Sequence, residues 1–180
     1  MATLYIMAGL PASGKSHIAE SISKRTGAEI ICKDDLREQL CGDASDQSKN
    51  KEIHQIYLRK IREELKSGRS VIADATNIHV GNRINLINLT KNIPCKIELH
   101  IATKSQELCL IDNMKRDRHV PESVIKQMNE QFEYPDKKEK SRYSKVVYHK
   151  PDRERSLFGQ IMSGEVQNKN QYAPNQEILR

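Results

Sequence analysis

The amino-acid sequence predicts an α/β fold in which a parallel β-sheet is flanked by helices. Two observations support this prediction. Short apolar runs alternate along the chain with segments of helical periodicity, and the segments between runs are long enough for crossover connections. The first and third runs are also continuously apolar, which is typical of strands that are buried on both faces of a parallel sheet.

The predicted elements are placed by their apolar periodicity and by the residues that end them. The first strand spans residues 4–8 and closes at Gly9, and the first helix spans residues 15–25 and stops before Gly27. The other predicted strands span residues 28–32, 71–73, 95–101 and 146–148, and the other predicted helices span residues 47–66, 79–91, 105–116 and 121–133. Apolar and polar residues alternate over 95–101, which predicts a strand with only one buried face.

The composition favours a folded, basic protein. The chain has 180 residues, of which 30 are Lys or Arg and 24 are Asp or Glu, so the formal net charge is +6 and the pI is near 9.1. This charge favours polyanionic partners such as nucleic acid, although many unrelated soluble proteins are equally basic. Charges of both signs are mixed along the chain, which favours a globular protein over a disordered one.

The cysteines and the apolar runs indicate the compartment. Cys32, Cys41, Cys95 and Cys109 show no CxxC spacing and no histidine at a zinc-ligand interval, so we expect reduced thiols and no structural metal site. No apolar run approaches the roughly 18 residues that a membrane helix needs, and the first residues lack the basic leader of a signal peptide. The sequence therefore predicts a soluble, cytoplasmic protein without a membrane partner, and it leaves the oligomeric state open.

An ungapped phosphate-binding motif connects the first predicted strand to the first predicted helix. Residues 9–16 read GLPASGKS and match G-x-x-x-x-G-K-[ST], the P-loop. Its glycines let the backbone turn and approach phosphates closely, and the N-terminus of the new helix favours their charge. Lys15 would contact the β- and γ-phosphates of ATP, and the Ser16 hydroxyl would ligate Mg²⁺. The predicted nucleotide-binding residues are Gly9, Ala12, Ser13, Gly14, Lys15, Ser16 and His17.

Acidic residues follow the second and third strands, at the edge where parallel sheets bind their ligands. Asp34 and Asp35 open a helix, and a carboxylate there can accept the proton of an attacking hydroxyl, while Arg37 lies one turn further on and can bind an anionic group. Acidic residues at a helix start are also common caps, so these residues alone leave both roles open. Asp74 stands at the Walker-B position, where it either ligates Mg²⁺ through water or is a turn residue.

A basic segment joins the predicted helices at 105–116 and 121–133. Arg116 and Arg118 lie in it, and a segment of this kind can close over a nucleotide and neutralise the transferring phosphoryl group. A solvated helix terminus explains either arginine alone at least as well. A second basic run, at residues 137–145 with Tyr134 and Tyr143 nearby, is either a base-stacking strand-binding surface or a solvated loop.

Taken together, these motifs resemble the 5′-polynucleotide kinase family. The resemblance covers roughly residues 3–135, and its landmarks are GLPASGKS, then KDDLR, DATN and RDRHVP. It implies a P-loop NTPase-type parallel sheet flanked by helices with a helical lid, ATP and Mg²⁺ as cofactors, and the 5′-hydroxyl end of a nucleic acid as substrate. It also implies that Asp34 is the general base, that Arg37 holds the acceptor's neighbouring phosphate, and that Arg116 and Arg118 bind the donor phosphates.

The resemblance and the composition together predict the domain organisation. Residues 1–150 would form the kinase domain, with its lid at about 105–133. Residues 151–180 are polar and rich in Asn and Gln, so we expect a C-terminal extension that is partly helical near 153–162 or loosely ordered. Asp112 stands where the family often has arginine, and the chain is too short to include the phosphatase domain of the bifunctional phage members. Two other classes stay open: a zeta-toxin-like P-loop kinase of a small-molecule hydroxyl, and a non-catalytic ATP-binding module.

Overall fold

The computed structural model describes residues 1–43 and 46–151 of the chain. Residues Met1–Lys150 form one compact unit. The predicted C-terminal extension, with its helix near 153–162, lies outside the described residues apart from Pro151. Within the described ranges, no helix combines the length and the apolar character that crossing a membrane requires.

One parallel β-sheet organises this unit. Its strands are β1 (Ala2–Ala8), β2 (Glu29–Cys32), β3 (Val71–Asp74), β4 (Cys95–Ala102) and β5 (Lys145–His149). They pair in the order β2-β3-β1-β4-β5, and each pairing is parallel. The predicted parallel sheet is therefore confirmed, and the carboxyl ends of its strands share one edge.

Helices pack on both faces of the sheet. They are α1 (Lys15–Thr26), α2 (Lys33–Cys41), α3 (Asn50–Lys66), α4 (Val80–Leu89), α5 (Gln106–Asn113), α6 (Glu122–Glu130) and α7 (Lys137–Lys140). The first six match predicted segments, with ends that differ by up to three residues. The single turn of α7 was not predicted because it lacks apolar periodicity, and its start is fixed by the Asp136 carboxylate, which accepts the Glu139 N–H at 2.6 Å.

The central strand β1 divides the core into two sides. Leu4, Ile6 and Ala8 belong to the larger cluster, which α3 and α4 cover, whereas Tyr5 and Met7 pack on the opposite face against α1. This period of two follows from the alternation of side chains along a strand. The buried stripe that α3 contributes recurs at intervals of four, as its sequence predicts: Ile53, Tyr57, Ile61 and Leu65.

Strand β4 is buried more fully than its alternating sequence predicts. Residues 95–98 are partly exposed, but residues 99–102 are buried on both faces. The prediction of a single buried face is wrong for this half, because His100 on the second face packs against Tyr5 and His149. His100 is 3% exposed despite its polarity, since it packs edge-on against Tyr5 and stacks on His149.

The four cysteines carry free thiols, as expected. Cys109 is fully buried, and the other three are partly buried. Burial raises the pKa of the Cys32 thiol to about 11. Cys32 is therefore protonated near neutral pH and is a poor nucleophile, although it ends the strand beside Asp74.

A buried ion pair joins α4 to α7. Arg83 is 0% exposed, and its Nε and Nη2 donate to the two carboxylate oxygens of Glu139 at 2.7 and 2.9 Å. Tyr143 donates its hydroxyl to the same carboxylate at 2.7 Å. Burial acts to raise the pKa of Glu139, but these hydrogen bonds outweigh it and the pKa lies below its ordinary value. Because Tyr143 is buried in this pair, it cannot stack on a base, whereas Tyr134 is exposed.

The Arg83 guanidinium also fixes two loops. Its Nη1 donates to the backbone carbonyls of Asn77 and Ile78 at 2.9 and 3.1 Å, and its Nη2 donates to that of Glu133 at 2.7 Å. Asn77 and Ile78 follow β3, while Glu133 follows α6. One arginine side chain therefore holds the loop after β3 beside the end of the lid, and all three of its nitrogens are paired.

Arg83→Leu should lower the free energy of unfolding by about 3–5 kcal/mol, because it leaves the Glu139 carboxylate buried without its cation. Urea denaturation of the variant and the wild type measures this difference. The double variant Arg83→Leu/Glu139→Leu removes both charges and should recover part of the loss. A single variant within about 1 kcal/mol of wild type would contradict the role given to this pair.

Candidate functional site

The phosphate loop, residues 9–14, connects β1 to α1 and contains two glycines with positive φ angles. Gly9 has a φ of +152°, and a Cβ built there would lie 2.7 Å from Ser13 Oγ and 3.1 Å from Ala102. Gly14 has a φ of +91° and directly precedes the first residue of α1. A side chain at Gly9 is thus excluded by space as well as by backbone conformation. Ser13 is buried, and within the described residues its hydroxyl has no hydrogen-bond partner.

The loop after β3 supports the phosphate loop. The Gly9 N–H donates to the Thr76 carbonyl at 2.9 Å, and the Asn77 side-chain amide donates to the Met7 carbonyl at 2.7 Å. Asn77 is buried and has a φ of +40°, which asparagine tolerates better than most residues. The DATN segment therefore ties the ends of β3 and β1 together, a role that its sequence did not reveal.

The N-terminus of α1 faces the phosphate loop. No side chain caps it, and its first turn contains no acidic residue, so its leading N–H groups favour an anion. Lys15 donates its ammonium to the Leu10 carbonyl at 2.7 Å. Burial lowers the pKa of Lys15, and the charge of Asp74 acts against that shift. Ser16 and His17 follow Lys15 and are exposed.

A lysine outside the predicted motifs holds the phosphate loop from the other side. The Lys104 ammonium donates to the Ala12 carbonyl at 2.9 Å and pairs with the Asp112 carboxylate at 2.8 Å. Asp112, which stands where the 5′-polynucleotide kinase family often has arginine, also pairs with Lys115 at 3.0 Å. This aspartate therefore has two lysine partners in the present chain. The sequence feature that could have identified Lys104 is its position just after β4, at the same sheet edge as Gly9.

Asp34 forms ion pairs with two arginines. Its Oδ1 accepts from Arg37 Nη1 at 2.6 Å, and its Oδ2 accepts from Arg118 Nη2 at 3.1 Å. Arg37 is buried (8% exposed) and also donates from Nη2 to Asn50 Oδ1 at 3.2 Å. The Asp34 side chain is 51% exposed, so a solute can reach this carboxylate between the two arginines.

Carboxylates gather where β2 and β3 end. Cys32 and Asp74 are paired in register, which brings the start of α2 beside Asp74. Burial raises the pKa of Asp74; Lys15 opposes this shift, whereas Asp34 and Asp35 add to it. Because the carboxylates repel one another, a cation bound among them is favoured.

This chemistry fits the predicted Mg²⁺ site. Asp74 offers a buried carboxylate, and Ser16 offers an exposed hydroxyl at the start of α1. Residues 1–43 and 46–151 contain no cluster of three His, Cys, Asp or Glu side chains suited to a metal ion. The remaining ligands would then be nucleotide phosphates and water, which is the usual arrangement for Mg²⁺ at phosphate sites.

The loop between α5 and α6 carries the lid arginines. Helix α5 ends at Asn113, whose side chain donates to the Val120 carbonyl at 2.8 Å and accepts the Val120 N–H at 3.0 Å. These two hydrogen bonds close the loop that contains Arg116 and Arg118. Arg116 lies near enough to Lys15 to lower its pKa, and Arg118 pairs with Asp34. The fold thus brings both arginines to the sheet edge.

A buried tyrosine of α3, Tyr57, lies beneath the edge of the sheet at which the strands end. Tyr57 is 1% exposed, and among the described residues its hydroxyl has no hydrogen bond of ordinary geometry. Burial raises the pKa of Tyr57 well above its ordinary value, and Asp74 adds to the shift while Asn77 opposes it. The Lys33 ammonium lies 5.0 Å from the centroid of the Tyr57 ring.

The AAA domain family matches residues 4–135, so the chain belongs to this family. Its parallel sheet, phosphate loop and helical lid are those of the P-loop kinase fold, and the family implies ATP binding at the loop. By sequence, the chain is 30% identical over 142 residues to L-seryl-tRNA(Sec) kinase from Methanococcus maripaludis. The match covers 73% of this chain and 53% of the relative, so the chain spans about half of the relative's length.

Solved structures share the fold at lower sequence identity. A chain of the Pnkp1/Rnl/Hen1 RNA repair complex has a TM-score of 0.66 and 22% identity, over 73% of this chain and 44% of that one. A gluconokinase from Sinorhizobium meliloti 1021 has a TM-score of 0.57 and 19% identity, over 91% of this chain and 94% of that one. These likenesses concern the fold alone.

Tyr57→Phe should leave the free energy of unfolding unchanged or raise it, because the buried Tyr57 hydroxyl makes no hydrogen bond of ordinary geometry with the described residues. The matched variant Tyr143→Phe should lower it by about 1.5–3 kcal/mol, since it removes a hydrogen bond to a charged carboxylate. Urea unfolding of both variants measures the difference. Equal losses in the two variants would contradict the contrast drawn between these hydroxyls.

Proposed function

We propose that this chain is an ATP-dependent kinase that transfers the γ-phosphate of ATP to the 5′-hydroxyl of a nucleic acid. The observation that carries the proposal is the position of the Asp34 carboxylate, which pairs with Arg37 at 2.6 Å and with Arg118 of the lid at 3.1 Å. Its charge also acts on Lys15 at the phosphate loop. A carboxylate between an arginine suited to the acceptor and a lysine suited to the donor has the location that a general base needs.

Asp34 would accept the proton of the acceptor hydroxyl. Each of its oxygens accepts one arginine N–H and keeps a further lone pair for that proton. As the proton moves to Asp34, the acceptor oxygen forms a bond to the γ-phosphorus. The bond between that phosphorus and the β,γ-bridging oxygen breaks, and ADP leaves with the electron pair.

The donor side would consist of the phosphate loop and the lid. Backbone N–H groups and Lys15 would bind the β- and γ-phosphates. Ser16 and, through water, Asp74 would hold Mg²⁺, which would neutralise charge on those phosphates. Arg116 would approach from the lid and stabilise the charge that develops on the transferring group.

The acceptor class is supported by charge and by a relative. The net charge of +6 favours a polyanionic substrate, and Arg37 would bind a phosphate beside the reactive hydroxyl. The similar protein from Methanococcus maripaludis is named as a kinase of L-seryl-tRNA(Sec). This 30% identity supports a second candidate acceptor, the hydroxyl of an amino acid carried by tRNA.

Transfer of labelled γ-phosphate to a panel of acceptors tests the proposal. The panel contains 5′-hydroxyl DNA and RNA oligonucleotides, their 5′-phosphorylated twins, seryl-tRNA and gluconate, each with Mg²⁺ at low salt. We expect label on the 5′-hydroxyl oligonucleotides and none on their blocked twins. Lys15→Ala serves as the control variant, because it removes a donor-phosphate contact and should abolish transfer.

The other outcomes are equally specific. Label confined to seryl-tRNA would replace the proposed acceptor with the second candidate. Label confined to gluconate would favour the small-molecule class. ATP binding without transfer to any acceptor of the panel would contradict the proposed 5′-hydroxyl kinase.

Arg37→Ala should lower kcat/KM about 10- to 100-fold for acceptors with a phosphate beside the reactive hydroxyl, since hydrogen bonds to charged groups contribute about 1.5–3 kcal/mol. A nucleoside without that phosphate should lose less. Steady-state kinetics with a nucleoside and its 3′-phosphate measure the difference, and thermal unfolding checks the fold of the variant. Equal losses for both acceptors would mean that Arg37 orients Asp34 and does not bind the acceptor.

A further inference from the structure

The facing sides of α2 and α3 meet beside the candidate site. On α2, Lys33 and Arg37 are four residues apart and share one face. On α3, Asn50, His54 and Tyr57 follow at intervals of four and three, so they also share one face. The faces meet, because Arg37 donates to Asn50 at 3.2 Å and the Lys33 ammonium lies 5.0 Å from the Tyr57 ring centroid.

The face of α2 that carries Lys33 and Arg37 concentrates positive charge. Burial lowers the pKa of Lys33, and Arg37 lowers it further, against the opposing charge of Asp34. The facing row of α3 consists of Asn, His and Tyr and supplies no carboxylate. Like charges one helical turn apart repel, so an anion bound beside both cations is stabilised by both.

The α3 side presents a buried polar atom. His54 Nδ1 is buried, and no hydrogen-bond partner for it lies among the described residues. An unpaired buried polar atom costs free energy, so its position on the row that faces Lys33 indicates a binding surface more than a packing surface. The His54 ring is partly exposed and can contact a solute. The Tyr57 ring is fully buried and supports the Lys33 ammonium by a cation–π contact.

We propose that Lys33 and His54 form a second anion-binding subsite, which takes a further phosphodiester of the acceptor strand next to the phosphate assigned to Arg37. This inference rests on the proposed function and deepens it by naming a strand with several phosphates as the substrate. Lys33 and Arg37 are separated by about 6 Å along the axis of α2, a spacing comparable to that of neighbouring phosphates in an extended strand. A neutral His54 adds an N–H donor without adding a like charge.

Direct binding of a strand tests the subsite without requiring catalysis. The probe is a short 5′-hydroxyl oligothymidine with a 3′-fluorescein, followed by fluorescence anisotropy in a salt series without ATP. Lys33→Gln is compared with Lys60→Gln, which removes the same charge from an exposed position of α3. Lys33→Gln should weaken binding about tenfold and reduce the slope of log K against log salt by about 0.7, the value for one phosphate contact on a single strand. Lys60→Gln should stay close to wild type.

A second variant keeps the test valid if Lys33→Gln does not fold, which thermal unfolding reports. His54→Ala should weaken binding without changing the salt slope, because neutral histidine releases no counterion. In the transfer assay, Lys33→Gln should raise KM more for a dinucleotide than for a nucleoside 3′-monophosphate.

The two proposals fail in different ways. Identical binding by Lys33→Gln and Lys60→Gln, together with wild-type binding by His54→Ala, would overturn the subsite and leave the kinase proposal standing. A wild-type chain that transfers no phosphate, but whose strand binding is weakened by Lys33→Gln and His54→Ala and not by Lys60→Gln, would overturn the kinase proposal and support the subsite.

Discussion

The turn at the carboxyl end of β1 has no room for a side chain, and the site is built on that constraint. A Cβ at Gly9 would lie 2.7 Å from Ser13 Oγ and 3.1 Å from Ala102. Because Gly9 has no side chain, neighbouring segments can contact the phosphate loop closely. They do so from both sides, since β1 is the central strand of the sheet. Thr76 accepts the Gly9 N–H on the β3 side, and Lys104 reaches the loop on the β4 side. Phosphate binding thus depends on packing that only glycine permits.

The two ends of the lid are held with different strength. At the base, Arg83 donates to the Glu133 carbonyl and is itself fixed by its pair with Glu139. The Arg83 and Glu139 side chains are 0% and 4% exposed, and breaking such a buried pair costs about 3–5 kcal/mol. At the tip, Arg118 and Asp34 are 39% and 51% exposed, and a pair of that kind contributes about 0–1 kcal/mol. The tip can therefore exchange its contact with Asp34 for contacts with a substrate at little cost, while the base keeps its position.

Local patterns predicted most of the fold, and long-range contacts explain the rest. The strands, the helices and the phosphate loop follow from periodicity and from a contiguous motif. The loop contacts of Lys104 with Ala12 and of Arg83 with Glu133 could not be predicted, because they join residues 92 and 50 positions apart. The burial of the second half of β4 could not be predicted for the same reason, since its second face is buried where His100 packs against Tyr5 and His149. For the site, Asp34 and Arg37 were visible as a pair one turn apart, but the pairing of Asp34 with Arg118 spans 84 residues.

The central claim is that Asp34 takes the proton of an acceptor hydroxyl. Single-turnover transfer by Asp34→Asn, at saturating ATP and with a 5′-hydroxyl oligonucleotide, tests it most directly when the ATP affinity of the same variant is also measured. Asparagine keeps the shape of the side chain but cannot accept the proton. We expect the rate to fall about a hundredfold or more, with ATP affinity close to wild type. A rate near wild type, or an ATP affinity that falls in step with the rate, would contradict the claim and make Asp34 a structural partner of the two arginines.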